Sequence, residues 1–100
     1  MSTPGRGPIR LSEETQASAG VMQVPKNDLI IVTGTTQIDT IPPPFGGFVY
    51  GLRITLIPIS GGVVLSTAGN ILVGITMAIN RACDLLWSKS QQKWFIENGV

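Results

Sequence analysis

The chain has no histidine, a single cysteine (Cys83) and only 13% charged residues, and each shortage removes a class of function. One cysteine cannot form an intrachain disulfide, and one Cys without His cannot build a zinc site of the common kinds. A Ser or Cys nucleophile lacks its usual base when no histidine is present. A formal net charge of +1 supplies neither a basic field for nucleic acid nor an acidic one for cationic partners. No basic start is followed at once by an apolar core, so no secretion signal is visible. The absence of disulfides agrees with folding in a reducing cytoplasm.

The chemistry-bearing residues that remain are sparse. The chain holds six acids, and Asp28, Asp39, Asp84 and Glu97 stand at no spacing that singles out a glycosidase-like pair. Solvated turn positions or strand edges account for them better. Cys83 has only Arg81 as a nearby cation and reads as a small buried hydrophobe rather than a reactive thiol. Gly46-Gly47 and Gly61-Gly62 lack the phosphate-cradling pattern and read as turns. Trp87, Lys89, Lys93 and Trp94 come nearest to a nucleic-acid stacking surface, but two lysines beside two tryptophans are a weak signal. The tryptophan pair reads instead as a core or interface anchor. The expectation is a protein that is not an enzyme, with no cofactor, no metal and no nucleic-acid partner.

Hydrophobic residues make up 43% of the chain, with Ile, Val and Leu spread among Gly, Thr and Ser, a composition that favours strands and tight turns. Residues 1–26 carry Pro4, Gly5, Gly7, Pro8 and Gly20 without sustained periodicity and read as an extended or disordered N-terminal arm. Residues 27–100 read as one β-rich domain. A folded unit of roughly seventy residues has a core worth about 3–5 kcal/mol at most. With disulfide and metal excluded, oligomerisation is the supplement that remains.

Along the domain, Leu29-Ile30-Ile31-Val32 and the Ile38–Ile41 stretch read as two short strands across a Gly turn. Pro42-Pro43-Pro44 ends the second, and Phe45-Gly46-Gly47-Phe48 completes a loop. Residues 49–58 form the clearest strand, with Leu52, Ile54 and Leu56 on one face and Arg53, Thr55 and Ile57 on the other. Short strands follow at Val63-Val64-Leu65, Ile71-Leu72-Val73 and Thr76-Met77-Ala78-Ile79. Asp84-Leu85-Leu86-Trp87 and Lys93-Trp94-Phe95-Ile96-Glu97 close the chain as a hairpin with the two tryptophans adjacent. Residues 75–86 also fit helical spacing through Ile75, Ala78, Ile79, Ala82, Leu85 and Leu86; the strand reading is preferred.

Residues 54–80 contain no charge and are long enough for a bilayer span. Pro58, Ser60-Gly61-Gly62 and Ser66-Thr67-Ala68-Gly69-Asn70 interrupt them at roughly eight-residue intervals, which is strand-and-turn spacing. No membrane partner is expected, and a small membrane protein is kept as the last alternative.

The order Ile30-Ile31-Val32-Thr33-Gly34-Thr35-Thr36-Gln37-Ile38-Asp39-Thr40-Ile41, Gly51-Leu52-Arg53-Ile54-Thr55-Leu56-Ile57, Gly69-Asn70-Ile71-Leu72, Asp84-Leu85-Leu86-Trp87 and Lys93-Trp94-Phe95-Ile96-Glu97 resembles a β-rich module of tailed-bacteriophage virion proteins. Such modules occur in tail fibres and spikes and as head decoration (cement) proteins, generally as trimers. Pro42-Pro43-Pro44 and residues 75–82 depart from that pattern. The resemblance implies an all-β fold, a small β-sandwich, jelly-roll-like or β-prism domain completed by homotrimerisation. It implies a virion protein folded in the host cytoplasm and placed on the capsid surface, whose partners are itself and the major capsid protein. A chain starting at Met1 with its own arm favours a stand-alone head protein over a tail-fibre module; a carbohydrate receptor enters only under the tail alternative. By position, Arg6, Ile9, Arg10, Leu11, Val21, Met22 and Val24 are the expected capsid contacts. Ile31, Ile38, Ile41, Leu52, Ile54, Leu56, Ile71, Trp87 and Trp94 are the expected trimer or core residues.

Overall fold

The computed structural model describes residues 10–98, and their regular structure is all strand apart from one 3-10 turn at Pro44–Gly47. The strands are β1 (Arg10–Ala17), β2 (Asn27–Thr33), β3 (Arg53–Pro58), β4 (Val63–Leu65), β5 (Ile75–Met77), β6 (Cys83–Ser88) and β7 (Lys93–Asn98). Five of them form a mixed sheet in the order β1-β2-β3-β6-β7, and β4 and β5 form a separate antiparallel pair. The first three strands of the large sheet run parallel to one another, and β6 and β7 continue it antiparallel. Three adjacent parallel strands set this sheet apart from a jelly roll, whose strands are antiparallel.

The period-2 pattern of β3 places Leu56 and Ile54 under the sheet with Leu52 just before them, all at 0–1% exposure. Ile30 and Val32 of β2 and Cys83, Leu85 and Trp87 of β6 point the same way. Against this face lie Ile38, Ile41, Val63, Leu65, Ile71 and Met77, all part of one buried cluster. At about 1.5–3 kcal/mol per fully buried aliphatic side chain, this contact is the main force holding the two layers together. Single bridges tie the second layer to itself and to the sheet: Ile38 to Leu65, Val21 to Thr40, and Ile71 to Trp94 on the outer edge of β7.

Residues 10–26 do not stand apart as an arm. Residues 10–17 form β1, paired in parallel with β2, and Met22 is buried at 4% exposure. Ser12-Glu13-Glu14-Thr15-Gln16 has no apolar alternation to announce a strand, because its side chains hold it by hydrogen bonds. Glu14 Oε1 accepts from the backbone N–H groups of Lys26 and Asn27 at 2.6 and 2.8 Å. Gln16, 8% exposed, accepts from Gln23 N and donates to Gln23 O. A polar strand is stable when its buried groups are paired in this way.

One further expectation changes, and the strand reading of residues 75–86 holds. Residues 71–73 make a bridge at Ile71 rather than a strand. Residues 75–86 are not helical: β5 stops at Met77, Asn80 takes a left-handed φ of 61°, and β6 begins at Cys83. Ala78, Ile79 and Ala82 are exposed, so the apolar spacing that suggested a helix buries nothing there. The uncharged run of residues 54–80 divides into β3, β4 and β5, and no helix among the described residues is long and apolar enough to cross a membrane.

Candidate functional surface

The segment leading from Ile41 to Gly51 is held rigidly at two backbone carbonyls and displays aromatic side chains between and beyond them. The Ile41 carbonyl accepts from Trp94 Nε1 at 2.8 Å and from Asn70 Nδ2 at 2.7 Å, while Asn70 Oδ1 accepts from Ile41 N at 2.9 Å. The Gly47 carbonyl accepts from Trp87 Nε1 and from Gln92 Nε2, both at 2.9 Å. Between these anchors the three prolines limit the backbone, since each fixes its own φ.

Phe45, Phe48 and Tyr50 are 59%, 71% and 79% exposed. Phe45 takes a φ of 58°, a left-handed conformation uncommon for a bulky residue, which persists only where its surroundings over-determine it. Beside the loop, on the outer face of the large sheet, is a cleft of about 570 Å³ bounded by Tyr50, Leu86, Phe95 and the Lys89 side chain. Lys89 Nζ sits 4.7 Å from the Tyr50 ring centroid, a cation–π contact. Phe95 is 37% exposed.

The four carboxylates singled out in the sequence separate into two settings. Asp28, Asp84 and Glu97 line a shallow polar cleft of about 390 Å³ with Arg53 and Thr55. There Arg53 pairs with Glu97 at 2.9 Å, and Thr55 Oγ1 donates to Asp84 Oδ1 at 2.7 Å. Asp84 thus stands on a central strand rather than at an edge. Asp39 lies elsewhere, where hydrogen bonds from Ser66 (2.5 Å) and Gln37 (2.9 Å) hold its carboxyl below the ordinary range. Among the described residues no group of three His, Cys, Asp or Glu side chains could hold a metal ion. Burial, with the Asp84 charge second, pushes the Cys83 thiol up to about 11, which disfavours its thiolate.

Of the expected capsid contacts, Arg6 and Ile9 lie outside the described residues, and Arg10 and Leu11 open β1. Val21 and Val24 are exposed, at 66% and 44%, but Met22 is in the core and offers no surface. Its position in the middle of an apolar triplet did not distinguish it from its neighbours. Of the expected trimer or core residues, Ile38, Ile41, Leu52, Ile54, Leu56, Ile71, Trp87 and Trp94 are buried within one chain, and Ile31 is half-buried on the outer face of the sheet. Eight of the nine are therefore unable to touch a neighbour, because inner-face burial has already consumed them. Phe45, Phe48, Tyr50 and Phe95 were not singled out. The signal was present as two phenylalanines flanking Gly-Gly in an uncharged stretch, with no polar partner to explain them.

Comparison of the chain with family models, with curated proteins and with solved structures gives no match.

Proposed function

We propose that this chain is a non-catalytic structural subunit of a tailed-bacteriophage virion, a capsid decoration (cement) protein that binds the outer head surface as a homotrimer and stabilises the shell. The observation that carries the reading is the aromatic surface of Phe45, Phe48, Tyr50 and Phe95, which the described chain leaves partly open, with Lys89 the one charged group beside it. Exposed aromatic groups on a preformed support are the composition of protein-contact hot spots, since little ordering entropy is lost when they bind. The order of the sequence segments, which resembles virion modules, supports the same reading. In mechanism, each protomer would bury apolar area across neighbouring shell subunits, and three linked protomers would bind with the avidity of a multivalent contact.

A second reading is a tail-fibre or receptor-binding module. Tyr50 is open at 79%, with Lys89 against its ring and the Ser88 and Ser90 side chains at the same cleft, a composition that suits a sugar stacked on an aromatic face. Trp87 and Trp94, the stacking platform expected under that reading, are both buried. The deciding measurement is the copy number per purified virion. Stoichiometry with the major shell protein supports decoration; a handful of copies supports the tail reading; absence from the virion overturns both.

A further inference from the structure

The large sheet has two edges, and the chain caps only one of them. At β7, Trp94 N donates to Asn70 O at 2.8 Å and Trp94 O accepts from Leu72 N at 2.9 Å, so residues 70–72 cover that edge. The opposite edge is β1, and among the described residues no backbone group is bonded to its outward side. Ser18 N donates to Thr33 O at 2.7 Å, beside the Ala17–Thr33 pair. In a parallel ladder this turns the backbone groups of Glu14, Gln16 and Ser18 toward β2 and those of Glu13, Thr15 and Ala17 outward. Natural edges are commonly blunted by Pro, Lys or a bulge. Residues 10–17 contain neither Pro nor Lys, and the register shift lies between Arg10 and Glu13, which leaves residues 13–17 regular.

This edge is also held ready. The Glu14 and Gln16 side chains tie β1 to residues 23–27, so an added strand meets a template that is already ordered. The side chains of Glu13, Thr15 and Ala17 are exposed, and the strand that fits them is a second β1. With a two-fold axis at Thr15, antiparallel pairing sets Thr15 opposite its own copy, Glu13 opposite Ala17, and Glu14 opposite Gln16. No glutamate then faces a glutamate, whereas an axis at Glu13, or between Glu13 and Glu14, would oppose them at a cost in stability. Threonine opposite threonine is a favourable cross-strand pair. The outward groups of the two chains exchange about six main-chain hydrogen bonds in this register. Strand addition draws its affinity from such a ladder rather than from area.

We propose that two copies of this chain join edge to edge through β1, antiparallel about a two-fold axis at Thr15, and so make one continuous sheet. The contact is isologous: it closes at two copies and leaves no β1 edge open. The axis stands perpendicular to the sheet, so both chains present the outer face, with its aromatic cleft, to the same side. The inference goes beyond the proposed function and uses none of the aromatic surface. Shell binding is read separately by virion copy number, so either claim can fail alone.

The test is register-specific cross-linking of the full chain. The pairing places the two Thr15 Cα atoms about 5.5 Å apart, within disulfide range, and the native Cys83 is buried. Thr15→Cys should oxidise to a covalent dimer in high yield. Glu13→Cys, at a side chain that is also exposed, would stand about 14 Å from its own copy. It should not couple alone but should couple in an equal mixture with Ala17→Cys. Thr15→Pro removes an outward N–H and leaves the β1–β2 ladder whole. It should weaken pairing about 30-fold or more and halve the mass seen by analytical ultracentrifugation, with circular dichroism unchanged. Equal coupling of Thr15→Cys and Glu13→Cys, the wild-type mass for Thr15→Pro, or a wild-type chain that stays unpaired at high concentration would each overturn the proposal.

Discussion

Trp87 and Trp94 stand directly opposite each other on β6 and β7, their rings meeting edge to face with centroids 5.1 Å apart at 66°. Each also spends its indole N–H on one end of the proline-rich segment, Trp94 on the Ile41 carbonyl and Trp87 on the Gly47 carbonyl. The pair therefore links the core to the aromatic surface: the same two side chains that fill the hairpin's inner face fix the loop that carries Phe45 and Phe48. Four predictions follow from this linkage and from the hydrogen bonds around it.

Trp94→Phe leaves a void at a fully buried site and removes one donor from Ile41 O, and should lower stability by about 2–3 kcal/mol. Trp87→Phe removes a donor from Gly47 O, which keeps Gln92, and should cost less, about 1–2 kcal/mol. Urea unfolding of both variants checks the order; a larger loss for Trp87→Phe would contradict it.

Asn70 serves both backbone groups of Ile41 from a distance of 29 residues in sequence. Asn70→Ala leaves the Ile41 N–H without its partner, while the carbonyl retains Trp94, and should cost about 2–3 kcal/mol. Gln37→Ala, at an exposed side chain, should stay within about 0.5 kcal/mol of wild type. Equal effects in thermal unfolding would remove Asn70 from the anchoring of the loop.

A β-carbon on Gly47 would lie 2.7 Å from Trp87 Cζ2 and 2.9 Å from Gln92 Oε1, on a backbone with φ of +82°. Gly51 has a similar φ of +73° but open space around it. Gly47→Ala should therefore lose about 2–4 kcal/mol, from backbone strain plus displacement of Trp87, and Gly51→Ala only the backbone share of about 1 kcal/mol. Tryptophan fluorescence should shift for the first variant alone.

Burial raises the Glu14 carboxyl, but its hydrogen bonds with Gln16, Lys26 and Asn27 outweigh that effect and hold it below the ordinary glutamate value. A folded-state value lower than the unfolded one means that the unfolded chain takes up the proton first. The contribution of Glu14 is thus present in full above the unfolded value and is lost as pH falls through the folded one. Thermal unfolding from pH 7 to pH 2 should show this acid loss, and Glu14→Gln should flatten it; an unchanged acid limb would show that Glu14 does not anchor β1.

The hairpin of β6 and β7 and the inner face of β3 were readable because their information is local. Alternation in Leu52, Ile54 and Leu56 repeats every two residues, and the polar turn at residues 88–92 lies between two tryptophans close in sequence. The strand β1 was hidden, since what holds it is a pair of polar side chains reaching backbone groups 7 to 13 residues away. The aromatic surface was hidden for the converse reason. Phe45 and Phe48 are as apolar as any core residue, and composition does not say that the loop's two anchors turn them outward.

From its residues alone, this chain reads as a β protein with no intrachain disulfide and no histidine chemistry, because period-2 patterning, glycine turns and the residue inventory are properties of the string. The parallel order of β1, β2 and β3, the burial of Met22 and the exposure of Phe48 depend on which distant segments meet. Those meetings are settled by competition among faces for one small interior. With Trp87, Trp94 and the aliphatic side chains of both layers already filling it, the remaining aromatics are left on the surface, where a partner can reach them.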